Sequence, residues 1–191
     1  MSKEVLWFDC ETGGTDSAKD ALLQLSAIIE IDGKEVDFID LKMKPLKGKN
    51  VSSKALEVQG RTMQDVNSFD DPLACFSRFQ KFLARRPASK ANRYIMGGYN
   101  AEFDCRFVEQ WYKDITGGPY AYWDYLQFSP IDAIPILRAM RHYGIIDLPD
   151  TKLKTVCDHF GIEIQAHDSM SDIRATRELT NMLMERTKKN F

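Results

Sequence analysis

Apolar and β-forming residues cluster early in the chain with the short spacing of strands. Residues 5–10 alternate weakly and suggest a strand, and residues 22–31 suggest a second. Asp32-Gly33 is a hairpin signal leading into a third at 35–43. The pattern then changes to the helical one. Ser52-Ser53 can cap a short helix through Val58, and Asp71-Pro72 opens a longer one in which Leu73, Phe76, Phe79 and Leu83 recur at helical spacing. Residues 93–99 read as a fourth strand and 102–115 as a helix, with Phe103, Phe107 and Trp111 among its apolar positions, ended by Gly117-Gly118-Pro119. The aromatic stretch 120–128 reads as part loop and part fifth strand, and three further helices are expected at 133–142, 152–160 and 171–186. No repeat, low-complexity segment or linker interrupts this order, so residues 1–191 are expected to form a single α/β domain. Three strands first and α-β-α later predict a mixed sheet, five strands in all, with helices on both faces.

Composition narrows the class. A hydrophobic share of 43% and a charged share of 28% suit a soluble globular chain with a sizeable core. No apolar run approaches the roughly 18 residues that span a bilayer. The opening MSKEVLWFD lacks the pattern of a signal peptide, so no membrane partner and a cytoplasmic location are expected. Cys10, Cys75, Cys105 and Cys157 are scattered, as free and mostly buried thiols would be. With 26 basic against 28 acidic residues, the net charge of −2 argues against broad electrostatic grip on duplex. A narrow groove for a few nucleotides, with metal ions supplying local positive charge, stays compatible with it.

Three charged clusters carry the chemistry. Residues i and i+2 share a face of a strand, so Asp9 and Glu11 point the same way and Cys10 the other. Two carboxylates on a mainly apolar strand repel one another and lose hydration, costs that a hard divalent cation relieves; a solvated strand end is the alternative for this pair taken alone. Thr12-Gly13-Gly14 then lets the backbone turn tightly beside a ligand. Asp104 is in register with Phe107, Val108 and Trp111, and Asp172 with Thr176, Leu179 and Leu183, which turns both toward the core at the start of a helix. Asp104 alone fits equally well as an anion stabilising its helix N-terminus. His167 precedes Asp172 by five residues, on a loop capped by Ser169 or Ser171, whereas His142 and His159 read as surface residues.

Asp9-x-Glu11-Thr12, Asn100-x-x-x-Asp104 and His167-x-x-x-x-Asp172 resemble the three motifs of the DEDDh 3′–5′ exonucleases. That family includes the proofreading subunit of DNA polymerase III and ribonuclease T. Segments 23–27, 55–60, 99–104 and 160–162 carry the likeness through nearly the whole chain. The departures are small: glycine at Gly13 where many relatives have a second threonine or serine, Gln59 for a histidine, and Ser169 for an alanine.

The resemblance implies a ribonuclease H-like fold and a two-metal phosphodiesterase. Asp9, Glu11, Asp104 and Asp172 would hold two Mg²⁺ or Mn²⁺ ions, and His167 would be the general base toward water. Thr12, Gly13 and Asn100 would contact the terminal nucleotide, while Phe103 either stacks on a base or packs in the core. The aromatic segment 120–128 reads as a stacking platform or as packing against the sheet. The basic runs Lys42, Lys44, Lys47, Lys49 and Arg85, Arg86, Arg93 read as phosphate contacts or as solvated faces.

The substrate implied is a nucleic acid 3′ end, with single-stranded or frayed DNA placed ahead of RNA; the 2′-hydroxyl decides between the two, and no residue of the sequence reveals the preference. A non-catalytic binding module is the rival from another class, and the presence of all five site residues disfavours it. The chain ends at Phe191 without the long extension through which the polymerase III subunit meets its polymerase. A stand-alone, phage- or plasmid-encoded enzyme is therefore expected, with a DNA polymerase or replication partner left open.

Overall fold

The computed structural model describes residues 4–85, 93–118, 120–127, 129–165 and 168–188. Three antiparallel strands open it: β1 (Glu4–Thr12), β2 (Leu22–Ile31) and β3 (Lys34–Lys42). Asp32 and Gly33 both take positive φ, 49° and 82°, as a two-residue hairpin turn requires. Two parallel strands, β4 (Ile95–Gly98) and β5 (Ile131–Asp132), complete a mixed five-stranded sheet in the order β3-β2-β1-β4-β5. This is the α/β, ribonuclease H-like architecture that the motifs implied.

The helices are α1 (Ser53–Val58), α2 (Met63–Ser68), α3 (Pro72–Leu83), α4 (Ala101–Thr116), α5 (Tyr120–Trp123), α6 (Ala133–His142), α7 (Leu153–Phe160) and α8 (Ser169–Lys188). They cover both faces. Leu6, Phe8 and Cys10 of β1 pack with Phe79, Phe107 and Trp111 of α3 and α4, whereas Val5 and Trp7 pack with Ile173 of α8. Trp7 lies flat across β4, where a side chain on Gly97 would stand 2.6 Å from the indole.

One expectation is corrected. The fifth strand is Ile131–Asp132, not part of the aromatic stretch, which instead contributes the short helix α5 and a single bridge from Leu126 to Tyr94. Tyr122 is buried in the aromatic core, with its ring 5.6 Å from Tyr112 and its hydroxyl 3.1 Å from the Met96 sulfur. Packing of this ring against the sheet thus outweighs the short-range strand signal. Phe128 lies outside the described residues. Helix α2 goes beyond the expected set, although Thr62 and Asp65 form a capping box around its start. The thiols are free, three buried and Cys105 half-buried. Among the described residues no helix is long and apolar enough to cross a membrane.

Candidate active site

The site is built where β1 outruns its neighbour. β4 pairs with β1 no farther than Trp7, whereas β2 pairs with it through Thr12, so the later β1 N–H groups that face the β4 edge need another partner. One is supplied by Asp104, in the first turn of α4, whose Oδ1 accepts from the Cys10 N–H at 3.0 Å. Asp104 is 4% exposed, and its neighbours along the helix, Phe107, Val108 and Trp111, are buried with it. The inward stripe predicted for α4 is therefore real, and the carboxylate at its head closes over the strand end.

Asp9 and Glu11 alternate with buried Cys10 and so stand on the α8 face of the strand. Asp172 is in the first turn of α8, in line with Thr176, Leu179 and Leu183, all buried. The four carboxylates act on one another. Burial pushes the Asp9 carboxyl well above the usual carboxylate range, and the charges of Asp104, then Glu11, then Asp172 push it further. Burial likewise raises Asp104, which the Cys10 N–H opposes and Glu11 reinforces.

These residues fit a divalent cation by their chemistry. The four side chains offer only hard oxygen donors, and the neighbouring Cys10 thiol, which burial pushes up, lies in the core beside Asp104. Among the described residues no three acidic, His or Cys side chains converge on one ion-sized point. Carboxylates that repel one another stand apart, and positive charge between them removes the reason.

The turn after Glu11 is held from outside. Gly13 is buried, and a side chain there would come within 2.4 Å of the Asn50 carbonyl, so the close approach its glycine permits is to the chain's own backbone. The Thr12 carbonyl accepts from Gln59 Nε2 at 2.7 Å, and the Thr12 hydroxyl donates to Gly14 O at 2.6 Å. Lys49 was expected on a phosphate or in solvent. It is instead a brace: its ammonium meets Asp114 of α4 at 2.7 Å and the carbonyls of Ser17 and Ala18, with 11% of its side chain exposed. Lys42, Lys44, Lys47 and Arg85 are exposed, Arg93 is half-buried, and Arg86 lies outside the described residues.

Asn100 is exposed in the left-handed region (φ 60°), a conformation asparagine tolerates well. Phe103 is half-buried, 5.0 Å from the Phe107 ring. His167 lies outside the described residues, while His142 and His159 are exposed. Of the two serines expected to cap the loop before α8, Ser171 closes it and Ser169 does not. Asp168 accepts from the Ser171 N–H, the Ser171 hydroxyl accepts from the Gln165 N–H, and Ser169 turns inward to the sheet.

One residue escaped sequence reasoning. Asp132, at the end of β5, accepts from the N–H groups of Asn100 and Ala101 at 3.2 and 3.0 Å and from that of Ile134 at 2.9 Å. A single carboxylate thereby caps α6 and anchors the head of α4, on which Asp104 sits. Its signal was an aspartate directly before the helix at 133–142.

The exonuclease family model matches residues 6–180. A PolC-type DNA polymerase III of Clostridium perfringens is 26% identical over 98% of this chain, which spans 12% of that relative. Ribonuclease T of Photorhabdus laumondii is 28% identical, over 94% of this chain and 83% of its own length. E. coli Exonuclease I shares the fold. Its complex with a dT13 oligonucleotide has a TM-score of 0.79 at 23% identity, over 99% of this chain and 42% of that one. Its zinc-bound single-stranded DNA complex has a TM-score of 0.78 at 23% identity, over 97% and 41%. The chain thus spans only about an eighth of the polymerase and under half of Exonuclease I. On the family match and on the motifs it carries, this chain belongs to the exonuclease family, in its DEDD-type 3′–5′ group.

Proposed function

We propose that the chain is a metal-dependent 3′–5′ exonuclease that removes nucleoside 5′-monophosphates from the 3′ end of single-stranded or frayed DNA. The observation that carries this is the gathering of four carboxylates from three elements at the end of β1: Asp9 and Glu11 on the strand, Asp104 at the head of α4, where it accepts from the Cys10 N–H at 3.0 Å, and Asp172 at the head of α8. These four would hold two Mg²⁺ or Mn²⁺ ions. Bound there, divalent ions would neutralise phosphate charge and make an attacking water more acidic.

The chain's own residues do the rest. The N-termini of α4 and α8 direct their positive ends at the cluster and favour an anionic substrate group. The turn at Thr12 and Gly13, with Asn100, would grip the terminal nucleotide. Phe103 would offer its half-buried ring to the last base. His167 would take the proton of the attacking water, a task suited to a neutral imidazole near pH 7. Turnover should then rise with pH through the histidine range.

DNA is favoured because the fold neighbour Exonuclease I was solved with a deoxythymidine oligonucleotide and one sequence relative is a DNA polymerase, which also makes a polymerase a reasonable partner. RNA trimming is the second reading, favoured by the ribonuclease T relative. A panel of 5′-labelled single-stranded DNA, duplex DNA and RNA with Mg²⁺ decides between them. The expected outcome is a ladder shortening from the 3′ end, fastest on single-stranded DNA and abolished by EDTA. Faster shortening of RNA would reverse the substrate assignment, and no shortening of any of them would refute the activity.

A further inference from the structure

A buried polar network lies behind the carboxylates. Ser26 is the cross-strand partner of Asp9, and Gln24 is that of Glu11. Ser169 stands one turn ahead of Asp172 on α8. These three meet: the Ser26 and Ser169 hydroxyls are 2.5 Å apart, and Gln24 Nε2 donates to Ser169 Oγ at 2.9 Å. Gln24 and Ser26 both donate to Asp40 Oδ1 on β3 at 2.7 Å. The Gln24 carbonyl oxygen accepts from Arg61, which also reaches Gln59, the residue that holds the Thr12 carbonyl. Ser26, Ser169 and Gln24 are 0, 2 and 4% exposed.

Packing alone does not call for these groups. Alanine at 26 and 169 would fill nearly the same space with no polar atom to satisfy. Buried hydroxyl and amide groups act differently from apolar ones because their bonds are directional. A slide or rotation of α8 that separates them strands a buried donor or acceptor, at roughly 1–3 kcal/mol each. The network therefore specifies one seating of the head of α8 on β2, and with it one placement of Asp172 relative to the strand that bears Asp9 and Glu11.

We propose that Gln24, Ser26 and Ser169 are positioning residues that set Asp172 against Asp9 and Glu11 and thereby set the affinity of the site for its divalent ions. This rests on the metal-site reading above. The test is calorimetric titration of the full chain with Mn²⁺, beside thermal unfolding in EDTA and Mg²⁺ dependence of cleavage. Wild type, Ser169→Ala, Ser26→Ala, the double variant, Ser169→Thr and Asp172→Ala are compared.

Ser169→Ala and Ser26→Ala should each weaken Mn²⁺ binding by about tenfold, the lower range for groups that orient a metal ligand through a neighbour. The double variant should be no worse than Ser169→Ala, because that change alone removes both bonds from β2 to α8, from Ser26 and from Gln24. Ser169→Thr, which keeps the hydroxyl, should recover most of the affinity. The Mg²⁺ needed for half-maximal cleavage should rise, with kcat restored at saturating metal and KM for oligonucleotide unchanged. Lower unfolding temperature with unchanged Mn²⁺ affinity, or additive losses in the double variant, would overturn the positioning role while leaving the site intact. Wild-type protein that binds no Mn²⁺, or Asp172→Ala that binds it as wild type does, would remove the metal-site reading and this proposal together.

Discussion

On one face of β1, Leu6, Phe8 and Cys10 enter an aromatic core under α3 and α4; on the other, Val5 and Trp7 give way to Asp9 and Glu11 under the head of α8. The first face is held by many small, non-directional contributions, and its rings fill space in any arrangement close to the right volume. The second depends on a few polar groups whose direction matters, and it gathers like charges that oppose folding. Alternate residues of one strand thus divide the labour. One set supplies stability, and the other spends part of it on an arrangement that has a use only with a ligand.

The widest break in this comparison should come from Asp104→Asn, which keeps an oxygen for the Cys10 N–H and removes the charge. Cleavage should fall below detection, yet the metal-free protein should unfold at a higher temperature than wild type at pH 7. The sign follows from the raised Asp9 and Asp104 carboxyls. A group whose folded pKa lies above its unfolded one favours the folded state below the unfolded pKa and withdraws that support as pH rises through the folded pKa. The gap between variant and wild type should therefore close as the pH is lowered toward the carboxylate range. Thermal melts in EDTA from pH 4 to pH 8 measure it.

Phe79→Ala tests the other face. Phe79 is 1% exposed and touches the rings of Phe82, Trp111 and Tyr112. Its truncation should cost about 3–5 kcal/mol in denaturant unfolding. The folded fraction should keep its kcat. Asp132→Ala lies between the two faces, because it loosens two helix starts, one of them bearing Asp104. About 2 kcal/mol of stability should be lost, the upper range for a cap. Here kcat should fall as well, and Asp132→Asn should restore most of both.

The two faces were not equally legible in the sequence. The strand pair 22–31 and 35–43 and the helix at 133–142 stand close to their expected places, because period and turn chemistry agreed there. The inward-facing Asp104 and Asp172 were legible too, since an acid in line with buried Phe107 or Leu179 marks itself. What did not show was anything set by partners distant in the chain. β5 is two residues long and exists only because β4 offers an edge. Lys49 looked like surface charge until Asp114 and the 17–18 carbonyls were brought to it. Ser169 looked like a helix cap, and only the register of β2 shows that its hydroxyl belongs to Ser26.

The central claim is that Asp9, Glu11, Asp104 and Asp172 form one cation site. It is tested most directly by the shift in unfolding temperature that Mn²⁺ produces in wild type, Asp104→Asn and Phe79→Ala. At a hundredfold excess over its dissociation constant a ligand adds about 2.7 kcal/mol to the folded state. Wild type and Phe79→Ala should both rise by similar amounts from their different starting points, and Asp104→Asn should not move. A wild-type-sized rise in Asp104→Asn would contradict the account.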